Sequence, residues 1–343
     1  MFGLALIAVA VLVAVFAYFI APDSSPNANR QIVEIGRKKP GSSQQFLLVP
    51  KEKTVDATGW FAQLISGKED ACRYLPISGY TIKGDSVIAD KFIDEGVSEK
   101  QSYSIKVIAG GEPIEQSIVQ KSYLLGTDNF GRDILSRIII GTRVSLSVGL
   151  IAVIISLSIG VFLGALAGFF RGKTDDIIMW LVNVVWSIPT LLLVFAITLL
   201  LGKGFFQVFI AVGLTMWVNV ARLVRGQVLA VRELEYVEAA RALGYSNGRI
   251  IFRHILPNIA GPVLVIAASN FASAIVIEAG LSFLGVGVQP PQPSWGLMIK
   301  ENYNFIITNN PVLALAPGIA IMLLVLAFNL LGNGLRDALD VRS

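Results

Sequence analysis

Charge is scarce in this 343-residue chain: Lys, Arg, Asp and Glu make up 15%, against 54% hydrophobic residues and a mean hydropathy of +0.67. An ordinary globular domain carries about a quarter charged residues, so this composition points to a membrane protein. Cysteine is nearly missing too. With Cys72 alone no internal disulfide can form, and the thiol reads as a small side chain rather than a site. The segment 22–122 has no histidine, no cysteine pair and no paired carboxylates beside a nucleophile, which argues against catalysis or metal binding there.

The charges that exist crowd between Arg30 and Arg143, leaving about six windows of roughly 20 apolar residues, each long enough to cross a ~30 Å hydrocarbon core as helix. They are placed near Phe2 to Ala21, Val144 to Phe170, Ile177 to Leu201, Phe205 to Val224, Val263 to Leu284 and Val312 to Gly334. Continuous apolar runs, rather than alternation with period two, exclude a membrane β-barrel. The expected fold is therefore an all-α polytopic membrane protein. Arg222, Arg225, Arg232, Arg241, Arg249 and Arg253 fill one short connection, whereas the opposite short loops offer little beyond Lys203 and Lys300. The arginine-rich connection is accordingly cytoplasmic, both termini fall inside, and the long polar segment from Pro22 to Arg143 falls outside.

The start, MFGLALIAVAVLVAVFAYFIAP, lacks the basic flank, the short apolar core and the small-residue cleavage site of a signal peptide, so an uncleaved span is expected over 1–21. The missing basic flank also suggests a translation start upstream of Met1. Between Asp23 and Ser122 the runs GRKKPGSS, ISGYTIKGDSVIAD and VIAGGEP predict short strands punctuated by Gly, Pro, Ser and Asp. This is a small extracytoplasmic β-rich or α+β domain, inserted over 22–122, ahead of a membrane domain over 123–343.

AGFFRGKTDD, from Ala167 to Asp176, ends like a phosphate-binding loop but lacks its first glycine, where Ala167 stands, and follows a span instead of a buried strand. It reads as a turn, with Asp175 and Asp176 near the positive end of the next helix dipole. No nucleotide, cofactor or metal is expected in this chain, and no nucleic-acid partner.

The cytoplasmic stretch YVEAARALGYSNGRIIFRHILPN, Tyr236 to Asn258, is of a different kind. Glu235 to Leu243 is rich in good helix formers, and Gly244 can close that helix in a left-handed cap. Ser246 can cap a second helix, which Pro257 and Asn258 should stop. Ala239 and Ala240 allow close approach of a partner surface, while Tyr236, Ala240 and Leu243 share a face at i, i+4, i+7. The result is a compact helical knob between spans.

Glu238, Ala239 and Ala240, then Gly244, then Leu256 and Pro257, resemble the EAA loop of ABC importer permeases, here over 235–258. His254 stands where that pattern has Ile, as in the RHILPN form of the dipeptide and oligopeptide branch. LGTDNFGRDILSRIIIGTRVSLSVG (Leu125 to Gly149) and EAGLSFLGVGVQPPQPSWG (Glu278 to Gly296) resemble the C-type permease subunit of the same branch. The resemblance covers about Tyr123 to Ser343, and the 22–122 insertion is longer than expected of the family. It implies the type I importer fold and a second, similar permease subunit. It also implies two cytoplasmic ATPase subunits that hold ATP and Mg, an extracytoplasmic substrate-binding protein, and the cytoplasmic membrane as location. Glu238, Ala239, Ala240, Arg241, Gly244, Leu256 and Pro257 are the implied coupling residues, with Arg241 or Arg249 pairing with ATPase acids. The favoured substrates are di- or oligopeptides, although similar permeases carry nickel chelates, glutathione, sugars or antimicrobial peptides.

Polar groups are costly facing lipid, so Asn183, Asn219, Asn270, Ser273 and Glu278 are the candidate path lining, against the alternative that they glue helices together. Pro189 is expected to kink its helix rather than touch substrate. Two rival classes remain. A membrane anchor displaying the outer domain would need no EAA knob, and an ion-coupled transporter would carry several intramembrane ionisable residues, where Glu278 is nearly alone.

Overall fold

A computed structural model describes residues 1–52, 59–109, 113–202, 204–307 and 310–339. Lys203, and Gly110, Gly111 and Glu112 of the expected turn, lie outside the described residues. The N-terminal half runs α1 (Phe2–Val15), α2 (Ala17–Ile20), β1 (Ser42–Pro50), α3 (Trp60–Ser66), β2 (Cys72–Lys83), β3 (Ser86–Asp94), β4 (Val97–Ser104), α4 (Ile105–Ala109) and β5 (Ile118–Tyr123). Then follow α5 (Ile134–Phe170), α6 (Gly172–Trp186), α7 (Thr190–Leu201), α8 (Phe205–Val231), α9 (Glu235–Ala242), α10 (Asn247–Ile250), α11 (Ala260–Phe283), α12 (Trp295–Asn302) and α13 (Val312–Leu339). Two compact units share these elements: one of residues 1–11, 144–289 and 319–343, the other of 12–143 and 290–318.

The second unit holds the β-rich region as a five-stranded antiparallel sheet in the order β4-β3-β2-β1-β5. The run Ile77 to Asp90 makes the β2–β3 hairpin, with Lys83 facing Ser86 across the two turn residues Gly84 and Asp85. Strand side chains alternate between faces, so Leu47, Leu75, Ile77, Val87 and Ala89 bury one face with Ile108 and Ile114, while Phe46 and Tyr123 pack the other with Ile32 and Ile35.

In the same unit the 125–149 motif builds a buried charge network. Asp128 accepts from the Phe130 and Arg132 amides (2.9 and 3.0 Å) and from Arg132 Nε (2.6 Å). Arg132 and Arg137 both donate to Glu301 Oε2, at 2.7 and 3.4 Å. The 278–296 motif joins it where Trp295 Nε1 donates to the Ile138 carbonyl at 3.1 Å. Asp133 starts α5 by accepting the Ser136 amide at 2.8 Å and the Ser136 hydroxyl. That cap explains why α5 begins ten residues before the apolar run at Val144.

Burial pushes the Asp133 carboxyl above its ordinary 3.8, against the lowering effect of the Ser136 hydrogen bonds. The fold therefore favours the protonated form, and this contribution is complete below the unfolded-state value and is lost as pH rises through the raised one. Asp133→Asn keeps the cap acceptor and is expected to flatten the decline of thermal stability from pH 3.8 towards neutrality. Scanning fluorimetry in detergent measures it, and an unchanged slope would count against this origin.

In the first unit, Gly160, Gly164 and Gly168 of α5 bring that helix onto α8. A Cβ at these positions would lie 2.5 Å from Val220 Cβ, 2.5 Å from the Ala221 carbonyl and 2.8 Å from the Arg225 carbonyl. Small residues at four-residue spacing permit such backbone approach in an apolar medium. Val144, Val148 and Ala152 pack with Val194, Val208, Phe209, Val212, Ala274 and Leu281 in its core. By length and composition, the described residues hold four helical stretches able to cross a membrane: 134–170, 205–231, 247–283 and 312–339. A fifth is present if α6 and α7 count as one broken span.

Two sequence expectations need correction. The stretch from Ile177 to Leu201 is not one straight span, because α6 and α7 meet at 90° across the break before Thr190. Pro189, expected to kink a helix, stands outside both helices as the N-cap of α7, with φ −54° and ψ 122°, and so separates them. Conversely, Pro257 and Asn258 do not stop a helix. The chain stays helical from 247 to 283 through a π turn (Ile251–Ile255) and a 3-10 turn (Leu256–Ile259). The change of helix type absorbs the missing proline N–H, and Asn258 Nδ2 donates to the His254 carbonyl at 2.6 Å.

Candidate functional site

The arginine-rich connection between α8 and α11 folds as the expected helix, turn and helix. Glu235 and Glu238 lie in the first turn of α9 and Arg241 in its last, each where the helix dipole favours it. The helix closes in a Schellman motif: the Gly244 amide donates to the Arg241 carbonyl (3.0 Å) and the Tyr245 amide to the Ala240 carbonyl (3.2 Å). Gly244 has φ +78°, the left-handed conformation this cap requires. Ser246 has the backbone angles of an N-cap, but its side chain makes no capping hydrogen bond.

Val237 and Ala240 are buried with Ile250, Ile251, Ile255 and Ile259 against Ala165 and Phe169 of α5 and Val220, Val224 and Val228 of α8. Arg232 anchors the entry by donating to the Gly168 and Phe169 carbonyls at the end of α5. The buried face is thus Val237 and Ala240, and of the three residues that share a face by spacing, Tyr236, Ala240 and Leu243, only Ala240 turns inward. Ala240 is 4% exposed, whereas Tyr236 and Leu243 stand out at 40% and 72%. The physical reason is that α9 lies on two helix ends, and only the i, i+3 pair faces both. Glu238, Ala239, Arg241, Gly244 and Pro257 are exposed, and Leu256 is half-buried. The Arg249 guanidinium lies over the Tyr245 ring, 4.2 Å from its centroid.

Among the spans, a cavity of about 650 Å3 is lined by Asn219, Asn270 and Ser273 of the expected set, together with Thr190, Thr215, Ser269 and Asn329. No charged side chain lines it among the described residues. Ile266, Ser269, Asn270, Ser273, Val276 and Ile277 all face it from α11. That i, i+3, i+4, i+7 stripe was readable in the sequence and would have added Ser269. Asn183 lies elsewhere: its Oδ1 accepts from Arg222 at 2.9 Å, and the same guanidinium sits 3.8 Å over the Trp186 ring. Glu278 is fully buried off the stripe and accepts from Ser282 Oγ at 2.6 Å. Ser282 Oγ in turn accepts the Val288 amide, closing the turn after α11. Asp175 does more than face a dipole, since it takes Arg225 of α8 in a two-pronged pair at 2.6 and 2.6 Å.

Long apolar helices, an uncharged polar cavity among them and a rigid helical knob define a membrane-transport subunit. Comparison makes the class specific. Residues 160–343 match the family described as the binding-protein-dependent transport system inner membrane component, and the chain belongs to that family. The dipeptide transport system permease protein DppC of Bacillus subtilis is 39% identical over 302 residues, covering 86% of this chain and 92% of that protein. That alignment is longer than the stretch 123–343, so it extends into the part of the chain that precedes Tyr123. The glutathione transport system permease protein GsiD of Pectobacterium atrosepticum is 44% identical over 219 residues, covering 64% of this chain and 72% of that protein. An inward-facing structure of the MetNI methionine ABC transporter resembles 60% of this chain and 97% of its own at TM-score 0.50 and 18% identity, a likeness of fold alone. The protein is a permease subunit of an ABC importer, with the type I fold, and ATP hydrolysis belongs to separate subunits.

Proposed function

We propose that this subunit moves di- or oligopeptides through the cavity between its helices and takes its drive through the 235–258 knob. The observation that carries the coupling role is the knob's construction: α9 is buried on one side and locked by the Gly244 cap, while Glu238, Ala239 and Arg241 face outward. In this reading two cytoplasmic ATPases, which hold ATP and Mg, seat the knob, a second permease completes the path, and an extracytoplasmic binding protein delivers substrate. The ATPases bias the helices only if the knob binds their two states unequally.

Six membrane crossings, with both termini cytoplasmic and 22–122 outside, fit the arginines between α8 and α11. They require the four long helices, the α6–α7 pair and the apolar run formed by α1 and α2. A peptide substrate fits relatives named for dipeptide and oligopeptide transport. It also fits a cavity whose Asn219, Asn270 and Asn329 amides both donate and accept, as a peptide backbone demands whatever its side chains.

The test is affinity purification of the tagged chain from its native membrane, then ATP-driven uptake of labelled dipeptide in proteoliposomes. Recovery of a second permease and two ATPases, with uptake that needs ATP, is expected. Recovery of the chain alone under conditions that preserve other transporter complexes would defeat the reading. A pair of variants separates packing from contact. Ala240→Leu overpacks the buried face and is expected to cost about 1–3 kcal/mol of stability. Ala239→Leu, on the exposed face, should stay within about 0.5 kcal/mol of the parent while uptake falls. If Ala239→Leu leaves uptake intact, that residue is no coupling contact.

A further inference from the structure

Helix α3 carries an apolar surface that nothing in its own unit covers among the described residues. Its sequence, WFAQLIS, has no charge, and none of its residues is buried. Trp60, Phe61 and Ile65 are 56%, 73% and 64% exposed. Seven residues are too few for a helix to hold itself in water, and α3 is held from outside. The Arg143 guanidinium donates to the Leu64 and Ile65 carbonyls at 3.1 and 3.2 Å, and the Lys68 amide donates to the Ser24 carbonyl at 2.8 Å. Its Trp60 ring lies 6.2 Å from that of Phe19 and 4.7 Å from that of Phe61.

These tethers fix its level. Phe19 and Ile20, themselves 42% and 51% exposed, close the apolar run that begins at Phe2, and Arg143 immediately precedes the apolar run starting at Val144. So α3 is pinned where two apolar runs turn polar, the depth at which aromatic rings and arginine gather at a bilayer surface. We propose that α3 is an interfacial anchor, with Trp60, Phe61 and Ile65 inserted between the headgroups and acyl chains of the outer leaflet. Lipid is the occupant because the surface is uncharged, aromatic and continuous through Phe19 with the segment assigned to the bilayer. The inference rests on the reading of α1 and α2 as membrane-spanning.

Cys72 is the one cysteine, so a Cys72→Ser chain takes single spin labels cleanly. Full-length protein in lipid nanodiscs would be labelled at Phe61→Cys or Ile65→Cys, with Leu12→Cys as the lipid reference and Ser98→Cys as the aqueous one. The ratio of collisions with oxygen to collisions with a water-soluble nickel chelate reads depth. At both α3 positions it should exceed the Ser98 ratio several-fold and approach that at Leu12. A ratio equal to that at Ser98 overturns the anchor, as does suppression of both collision types, which would mean a protein cover. If Leu12 itself behaved like Ser98, the spanning assignment would fall and this inference with it. Two labelled positions guard against one substitution disturbing the helix.

Discussion

Replacing Glu301 by alanine is expected to cost about 3–5 kcal/mol of stability, because it takes a carboxylate away from two buried guanidinium groups and leaves one of them without a hydrogen bond. Arg132 and Arg137 are 3% and 1% exposed at the side chain. Among the described residues, the Arg137 guanidinium has its only hydrogen bond to Glu301, and its Nε lies 3.9 Å from Asp128, beyond bonding distance. Arg132 keeps Asp128 at 2.6 Å, so the loss falls chiefly on Arg137. Thermal unfolding of the purified chain in detergent, followed by tryptophan fluorescence, measures it. The paired change Arg137→Met with Glu301→Met removes both charges and should recover most of the loss, since apolar replacement of a buried ion pair is often neutral or stabilising. A cost under about 1 kcal/mol for Glu301→Ala, typical of an exposed ion pair, would show that water reaches the network.

Gly244→Val is expected to bring ATP-driven uptake to background at unchanged abundance in the membrane. A Cβ there meets nothing within 4 Å, so the cost is conformational: at φ +78° a side chain clashes with its own backbone. That costs about 1–2 kcal/mol for an ordinary residue, and a β-branched one fits worse. The change opens the bonds from Gly244 and Tyr245 to the Arg241 and Ala240 carbonyls and lets the end of α9 fray. Gly244→Asn should retain most uptake, because asparagine tolerates the left-handed region. Uptake and abundance measured together decide it. Normal uptake in the valine variant would remove Gly244 from the coupling device. An asparagine variant as poor as valine would mean that the partner surface needs a bare backbone there, rather than the angle.

Only residues close along the chain wrote themselves plainly into the sequence. The apolar runs announced a membrane protein, because a continuous run of that length has few other stable environments. The order Glu238, Ala239, Ala240, Gly244, Leu256, Pro257 announced the permease knob and its capped turn, since a Schellman cap involves residues within five positions of one another. The alternating run from Ile77 to Asp90 likewise predicted short strands, which the structure pairs as neighbours across one turn.

Tertiary structure decided what depends on distant neighbours. Which side of α9 is buried followed from α5 and α8, which turned Ala240 inward and left Leu243 exposed. Asn270 and Ser273 face the cavity while Glu278 and Asn183 do not, because a polar residue in a span is satisfied equally by a path or by a partner such as Ser282 or Arg222. Arg137 and Glu301, 164 positions apart, become a pair only when α5 and α12 meet in one unit. Local periodicity constrains a residue's own element, but the environment of a buried polar group is set by helices whose approach no short window of sequence records.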